Sequence, residues 1–105
     1  MQFGRWYPLT DAGGHAPASE GVLQLRRATG LLDYPRGKSA MVLYAHAPDV
    51  RAAAQALARA HPGDDLWCRH LIEIEGTTDL AAFCAKLRAE FERRFGSVPH
   101  LESLP

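Results

Sequence analysis

An uninterrupted apolar segment followed directly by a helix signal constrains this fold more than any other feature of the sequence. Residues 41–45 are apolar and of strand length, which is typical of a central strand covered on both faces. Pro48 suits the first position of a helix, and Asp49 suits the positive end of its dipole. Apolar residues then recur at helical spacing as far as His61, before Pro62 and Gly63. The middle of the chain is therefore predicted to be a strand that leads into an Ala-rich helix.

Two further strands and a longer helix flank this unit. Residues 21–25 alternate a polar residue among apolar ones, and residues 66–75 place Cys68, His70, Ile72 and Ile74 on one face, so both segments are predicted strands. Thr78 is the predicted N-cap of the last helix. The apolar stripe of that helix is formed by Leu80, Phe83, Leu87, Phe91 and Phe95, and it stops at Gly96.

The remaining segments contain no sustained periodicity. Residues 26–40 are predicted to be a loop because Gly30, Pro35 and Gly37 punctuate them. Residues 1–20 are predicted to be an extended lead-in, with Trp6 and Tyr7 docking on the core, and residues 21–105 a single domain. The order strand, strand, helix, strand, helix predicts an α+β fold: a small three-stranded, mostly antiparallel sheet flanked by helices.

Composition narrows the class of protein. The chain has 105 residues, 47 % hydrophobic and 23 % charged, as in a globular domain. Its formal net charge is zero, which argues against a general polyanion binder, although residues 1–61 carry seven basic and four acidic groups. No apolar run approaches the roughly 18 residues of a membrane helix, and the N-terminus lacks a secretion signal. A cytoplasmic protein with no membrane partner is expected.

Two tempting motifs lack the residues they require. Gly37-Lys38-Ser39 resembles the end of a phosphate-binding P-loop, but Leu32 stands where that motif needs glycine, and an apolar strand follows instead of a helix. Cys68 and His70 point to the same side of a strand, as two zinc ligands do. The chain lacks the paired spacings of structural zinc sites, so a buried Cys beside a hydrogen-bonded His is the preferred interpretation.

Several segments occur in the order of a known nuclease family. They are Gly21-Val22-Leu23 in the first strand, Leu43-Tyr44-Ala45 in the second, Ala47-Pro48-Asp49-Val50 at the start of the helix, and Glu90 in the last helix, followed by Pro99 and Glu102. Over residues 20–104 this pattern resembles the GIY-YIG nuclease superfamily. The resemblance implies the fold of that family and a site in which tyrosines, an arginine and a metal-binding glutamate surround a phosphodiester.

The chain departs from the family pattern at the positions of the catalytic residues. Leu23 stands where the family has its first tyrosine. When the chain is aligned with the family pattern without a gap, other residues also stand at the positions of the second tyrosine and the arginine. A shift of one residue restores Tyr44 and leaves Arg51 one helical turn before the expected arginine. If the domain is active, the resemblance implies Tyr44, Arg51 and Glu90 as catalytic residues, with Glu90 holding Mg²⁺.

Three functions are compatible with these patterns. The first is a degenerate GIY-YIG-like domain that lacks efficient nuclease activity and binds nucleic acid or a protein. Its basic residues for nucleic acid are Arg26, Arg27, Arg36, Lys38 and Arg59, beside Arg51. The second is an active, divergent, Mg²⁺-dependent endonuclease that hydrolyses DNA. The third is an unrelated α+β protein-interaction domain. The oligomeric state is left open.

Overall fold

The centre of the molecule is an antiparallel sheet, seen in a computed structural model that describes residues 1–101 and 104–105. Within those residues, the strands are β1 (Gln2–Phe3), β2 (Tyr7–Pro8), β3 (Gly21–Arg27), β4 (Leu32–Tyr34), β5 (Gly37–Ser39), β6 (Met41–Ala47) and β7 (Leu66–Glu73). The helices are α1 (Ala12–His15), α2 (Val50–Ala60) and α3 (Leu80–Phe95), and a 3₁₀ turn over Leu9–Asp11 precedes α1.

The main sheet has five strands rather than the three expected from sequence. Its order is β1–β7–β3–β6, and β2 also pairs with β7, on the same side as β1. Strands β3, β6 and β7 are the predicted ones, and all their pairings are antiparallel. The two extra strands come from residues 1–20, so the N-terminal segment is part of the sheet instead of an extended lead-in. The chain is an α+β fold.

Strand alternation divides the core into two layers. Leu23 and Leu25 of β3 face α2 and the N-terminal segment, in a buried cluster that also contains Leu43 and Leu57. Val22 faces the opposite side, where a second cluster includes Leu71, Leu80 and Cys84, with Tyr44 packed against it. Helix α3 contacts β6 and β3 on this second face. On the same face, side chains of the N-terminal segment such as Phe3 pack near β7.

Both long helices begin later than the sequence indicated, α2 at Val50 instead of Pro48 and α3 one residue later than its predicted cap implies. The Asp49 carboxylate accepts a hydrogen bond from the amide of Ala52 at 2.9 Å, so Asp49 is the N-cap of α2, and Pro48 lies outside the helix. At α3, the cap is Asp79 rather than Thr78, and its carboxylate accepts from the amide of Ala82 at 3.0 Å. The Thr78 hydroxyl donates to the carbonyl of Glu75 instead, and proline has no side-chain acceptor, so the aspartates satisfy the first free amides.

A hairpin of β4 and β5 occupies the segment predicted to be a loop, and it is attached to the end of α3. The Tyr34 ring lies 5.0 Å from that of Phe91. The amide of Arg36 donates to the carbonyl of Phe95 at 3.0 Å, and its guanidinium donates to the carbonyl of Arg93 at 2.6 Å. Arg36 thereby satisfies carbonyl groups that the helix leaves free at its C-terminus.

Candidate functional site: an arginine pair on the open sheet face

The catalytic residues implied by the family resemblance do not meet in this structure. Tyr44 lies on the α3 face of the sheet, with its ring 5.8 Å from that of Phe91. Arg51 belongs to α2 on the opposite face, and its Nε donates to the carbonyl of Ala16 at 2.8 Å. Glu90 is on the exposed side of α3. The sheet separates Arg51 from Tyr44, so the three side chains cannot act on one phosphate here.

Of the three residues, Glu90 is the one that would supply a carboxylate to the Mg²⁺ that the resemblance implies. Among residues 1–101 and 104–105, no group of three or more His, Cys, Asp or Glu side chains is close enough together to hold a metal ion. Mg²⁺ is commonly held by one or two carboxylates together with waters and substrate phosphates, so Glu90 would have to hold it with ligands from outside the chain. Glu102, the last position of the resemblance, lies outside the described residues.

The basic residues suggested for nucleic acid are spread over several parts of the surface. The guanidinium of Arg36 is used at the end of α3, and Lys38 pairs with Asp33 at 3.4 Å. Arg59 is exposed on α2, and Arg27 is exposed at the end of β3. These residues do not form the common basic face that the sequence suggested. Arg26 lies beside a second arginine and a tryptophan ring.

Arg26 and Arg69 lie side by side on the part of the sheet that α3 leaves uncovered. The guanidinium carbons of Arg26 and Arg69 lie 4.7 and 4.5 Å from the centre of the Trp6 ring, and that of Arg69 lies 4.9 Å from the Phe3 ring. Arg69 Nε donates to Oε1 of the buried Gln24 at 2.7 Å. We call Arg26, Arg69, Trp6, Phe3 and Gln24 the arginine–tryptophan cluster.

The backbone explains why these side chains meet. Gln24 of β3 pairs with Arg69 of β7, and Arg26 pairs with Trp67, so the alternate residues of both strands lie on the α3 face. Trp6 reaches them because the chain crosses from β1 to β2 at Gly4, whose amide donates to the carbonyl of His70 at 2.9 Å. A Cβ at Gly4 would lie 2.8 Å from Ile72 Cγ2, so a side chain there would require this crossing or the exposed Ile72 side chain to shift.

The arginine–tryptophan cluster holds two positive charges and no negative charge among the described residues. Burial lowers the pKa of Arg69, the positive charge of Arg26 lowers it further, and Tyr44 acts in the opposite direction. Among the described residues, no carboxylate lies within salt-bridge distance of either guanidinium. The Nε of Arg26 is buried and has no hydrogen-bond partner there. Aromatic rings stabilise the two cations, but an anion between them would remove their repulsion and satisfy the free donor.

A polar network occupies the other side of the same sheet edge. The Tyr7 hydroxyl and His70 Nδ1 share a hydrogen bond of 2.8 Å, and Cys68 Sγ lies 3.6 Å from the same hydroxyl. The ring of His15 stacks on Tyr7 at 4.7 Å.

The preferred interpretation of Cys68 and His70 is confirmed, because the thiol is buried and the imidazole is hydrogen-bonded. Burial raises the pKa of Cys68 to about 11, which keeps the thiol protonated and unreactive.

This network predicts a loss of stability in weak acid. Burial, followed by the charge of the nearby His15, lowers the pKa of His70 below its usual value of 6.5. The unfolded chain therefore binds the proton more readily, and the free energy of unfolding should fall as the pH drops below about 6.5. His70→Asn keeps an acceptor for Tyr7 and does not titrate. Urea unfolding at about pH 7.5 and 5.5 should give a smaller difference for this variant, and an equal difference would refute the assignment.

No protein-family model matches the chain, and no curated protein is similar to it. In the part of the chain that the structure describes, every helix is too short or too polar to cross a bilayer.

Proposed function

We propose that this chain is a non-catalytic, degenerate GIY-YIG-like domain that binds nucleic acid through the arginine–tryptophan cluster. The observation that carries the proposal is the pair of adjacent guanidiniums, Arg26 and Arg69, which lie on Trp6 with no carboxylate beside them among the described residues. The relationship to the nuclease family rests on the sequence segments quoted above.

A phosphate group suits this arrangement better than a single carboxylate does. Guanidinium groups bind phosphate oxygens with two parallel hydrogen bonds, and the three terminal oxygens of a phosphomonoester or the two non-bridging oxygens of a phosphodiester can be shared between two arginines. The free Nε–H of Arg26 supplies one such donor. The neighbouring aromatic rings add surfaces on which bases stack, which an acidic peptide would not use.

The zero net charge of the chain is compatible with a local site. Binding would depend on a few phosphate contacts at one position instead of on a strongly positive surface, so the dependence of affinity on salt should be shallow. The acidic surplus of residues 62–105 would keep most of the remaining surface from holding nucleic acid.

We do not propose the divergent endonuclease, because Arg51 lies on the opposite side of the sheet from Tyr44 and from the helix that carries Glu90. Hydrolysis requires the attacking water, the proton-accepting group and the metal around one phosphorus atom. Tyr44 faces α3, and Arg51 is bonded to the N-terminal segment across the sheet. Burial also raises the pKa of Tyr44, which disfavours the phenolate that would accept a proton.

The test is a titration of a labelled 12-nucleotide single strand at several salt concentrations, followed by fluorescence anisotropy. We expect saturable binding, and the logarithm of the affinity should fall against the logarithm of salt with a slope between about −0.7 and −1.4, as for one or two phosphates on a single strand. A poly-glutamate peptide is the competitor. Equal competition by the peptide, or the absence of binding, would overturn the proposal. Cleavage in Mg²⁺ that Glu90→Ala abolishes would favour the endonuclease instead.

A further inference from the structure

An open cavity adjoins the arginine–tryptophan cluster at the β2 edge of the sheet. It has a volume of about 530 Å³, and the residues that line it include Trp6, Tyr7, His15, Trp67, His70 and Ile72, which we call the aromatic cavity. Its walls are mainly ring surfaces. A volume of several hundred cubic ångströms is in the range of small-ligand sites.

The Tyr7 hydroxyl and His70 Nδ1 are hydrogen-bonded to each other, but the two indole N–H groups of the aromatic cavity can bind a ligand. Neither indole N–H, of Trp6 or of Trp67, donates a hydrogen bond within residues 1–101 and 104–105. His15 stacks on Tyr7 with one ring face at an interplanar angle of 12°, and the residue is exposed, so its other ring face is open to solvent. Ile72 is 57 % exposed, which leaves an apolar contact available.

Trp6 joins the cavity to the two arginines. Its ring carries the guanidiniums of Arg26 and Arg69, and the same side chain lines the cavity. Trp67, on the cavity wall, pairs with Arg26 in the register of β3 and β7. A cationic site and an aromatic cavity thus share one wall. A nucleotide has the matching parts, because its phosphate is anionic and its base is planar, with donors and acceptors at its edge.

We propose that the aromatic cavity receives an unpaired base whose neighbouring phosphate lies on Arg26 and Arg69, so that the ligand is single-stranded nucleic acid. This inference rests on the proposed function. A base in a duplex is stacked between its neighbours and paired at its edge, and it cannot enter a cavity without being unpaired. The chain therefore distinguishes single strands from duplexes by the aromatic cavity and holds both by the phosphate contacts.

The test compares wild type, Trp67→Leu and Trp67→Phe for binding of a single-stranded oligonucleotide, the same sequence as duplex, and inorganic polyphosphate. Trp67→Leu removes the ring and keeps an apolar side chain, whereas Trp67→Phe keeps a ring. We expect Trp67→Leu to weaken single-strand binding about 10-fold or more, the usual effect of losing one stacked base. Trp67→Phe should retain most of the affinity, and duplex and polyphosphate binding should change little in either variant.

The outcomes separate the two proposals. In one outcome, the wild type binds single strand and duplex equally, and Trp67→Leu has no effect on either. That result would overturn the proposal that the aromatic cavity binds a base, and it would leave the proposal of phosphate binding by the arginine pair intact. A wild-type chain that binds no oligonucleotide at all would overturn the proposed function. Equal losses for Trp67→Leu on all three ligands would indicate damage to the fold and contradict a base-specific role. Urea unfolding of both variants identifies that case directly.

Discussion

Replacing both Arg26 and Arg69 by glutamine is expected to lower the affinity for a single-stranded oligonucleotide about 100-fold. A hydrogen bond to a charged group is worth about 1.5–3 kcal/mol, and a factor of ten in affinity corresponds to about 1.4 kcal/mol. Glutamine keeps much of the side-chain length but has no charge. The fold should tolerate the change, because it removes the repulsion between two half-buried cations that no carboxylate offsets among the described residues.

The matched control is Arg27→Gln combined with Arg59→Gln, which removes the same number of charges from exposed positions outside the cluster. Fluorescence anisotropy at one salt concentration should show a small change for this pair and a large one for Arg26 and Arg69. Similar losses for the two pairs would mean that the ligand recognises overall charge, and the arginine–tryptophan cluster would then have no special role.

Gly96→Ala is expected to lower the free energy of unfolding by about 3 kcal/mol, the largest stability effect we predict for a single methyl group. Gly96 ends α3 with φ of 85°, a left-handed conformation that costs other residues about 1–2 kcal/mol. A Cβ there would also lie 2.9 Å from Cβ of Pro35, where the β4–β5 hairpin meets the helix. Backbone or ring atoms must therefore shift, at a further cost.

Gly63→Ala separates the two contributions. Gly63 has nearly the same φ, 84°, but an added Cβ would meet no atom within 4 Å. Urea unfolding should show a loss of about 1–2 kcal/mol for Gly63→Ala, from the backbone conformation alone. If both variants lose the same stability, the junction between hairpin and helix is looser than the structure indicates, and the close approach of Pro35 is not energetically important.

The parts of the fold that the sequence predicts are those with long periodic patterns. Strands β3, β6 and β7 and helices α2 and α3 have apolar residues at regular spacing, and Gly96 marks the end of α3 as expected. Strands β1 and β2 have two residues each, so periodicity cannot reveal them, and their pairing with β7 depends on tertiary contacts. The β4–β5 hairpin was likewise hidden by its turn residues, although Tyr34 packs on Phe91.

The candidate site was less predictable than the fold, because it depends on strand register. Arg26 was among the basic residues suggested from the sequence. Its neighbour Arg69, and the Trp6 ring that both guanidiniums contact, were not predicted to be part of the same site. A signal was present in the predicted strand over residues 66–75: if Cys68 and His70 face one side, Trp67 and Arg69 must face the other. What the sequence could not reveal is that α3 leaves this face open.

The measurement that tests the central claim most directly is a ¹⁵N NMR titration of the 11.5 kDa chain with a short single-stranded oligonucleotide. The chain has two tryptophans, Trp6 and Trp67, so both indole signals can be followed together with the Nε signals of Arg26 and Arg69. We predict that these four signals shift and saturate together, while the Nε signals of Arg51 and Arg59 on the opposite face change little. Shifts centred on α2, or no shift at the tryptophan and arginine signals on binding, would contradict the account.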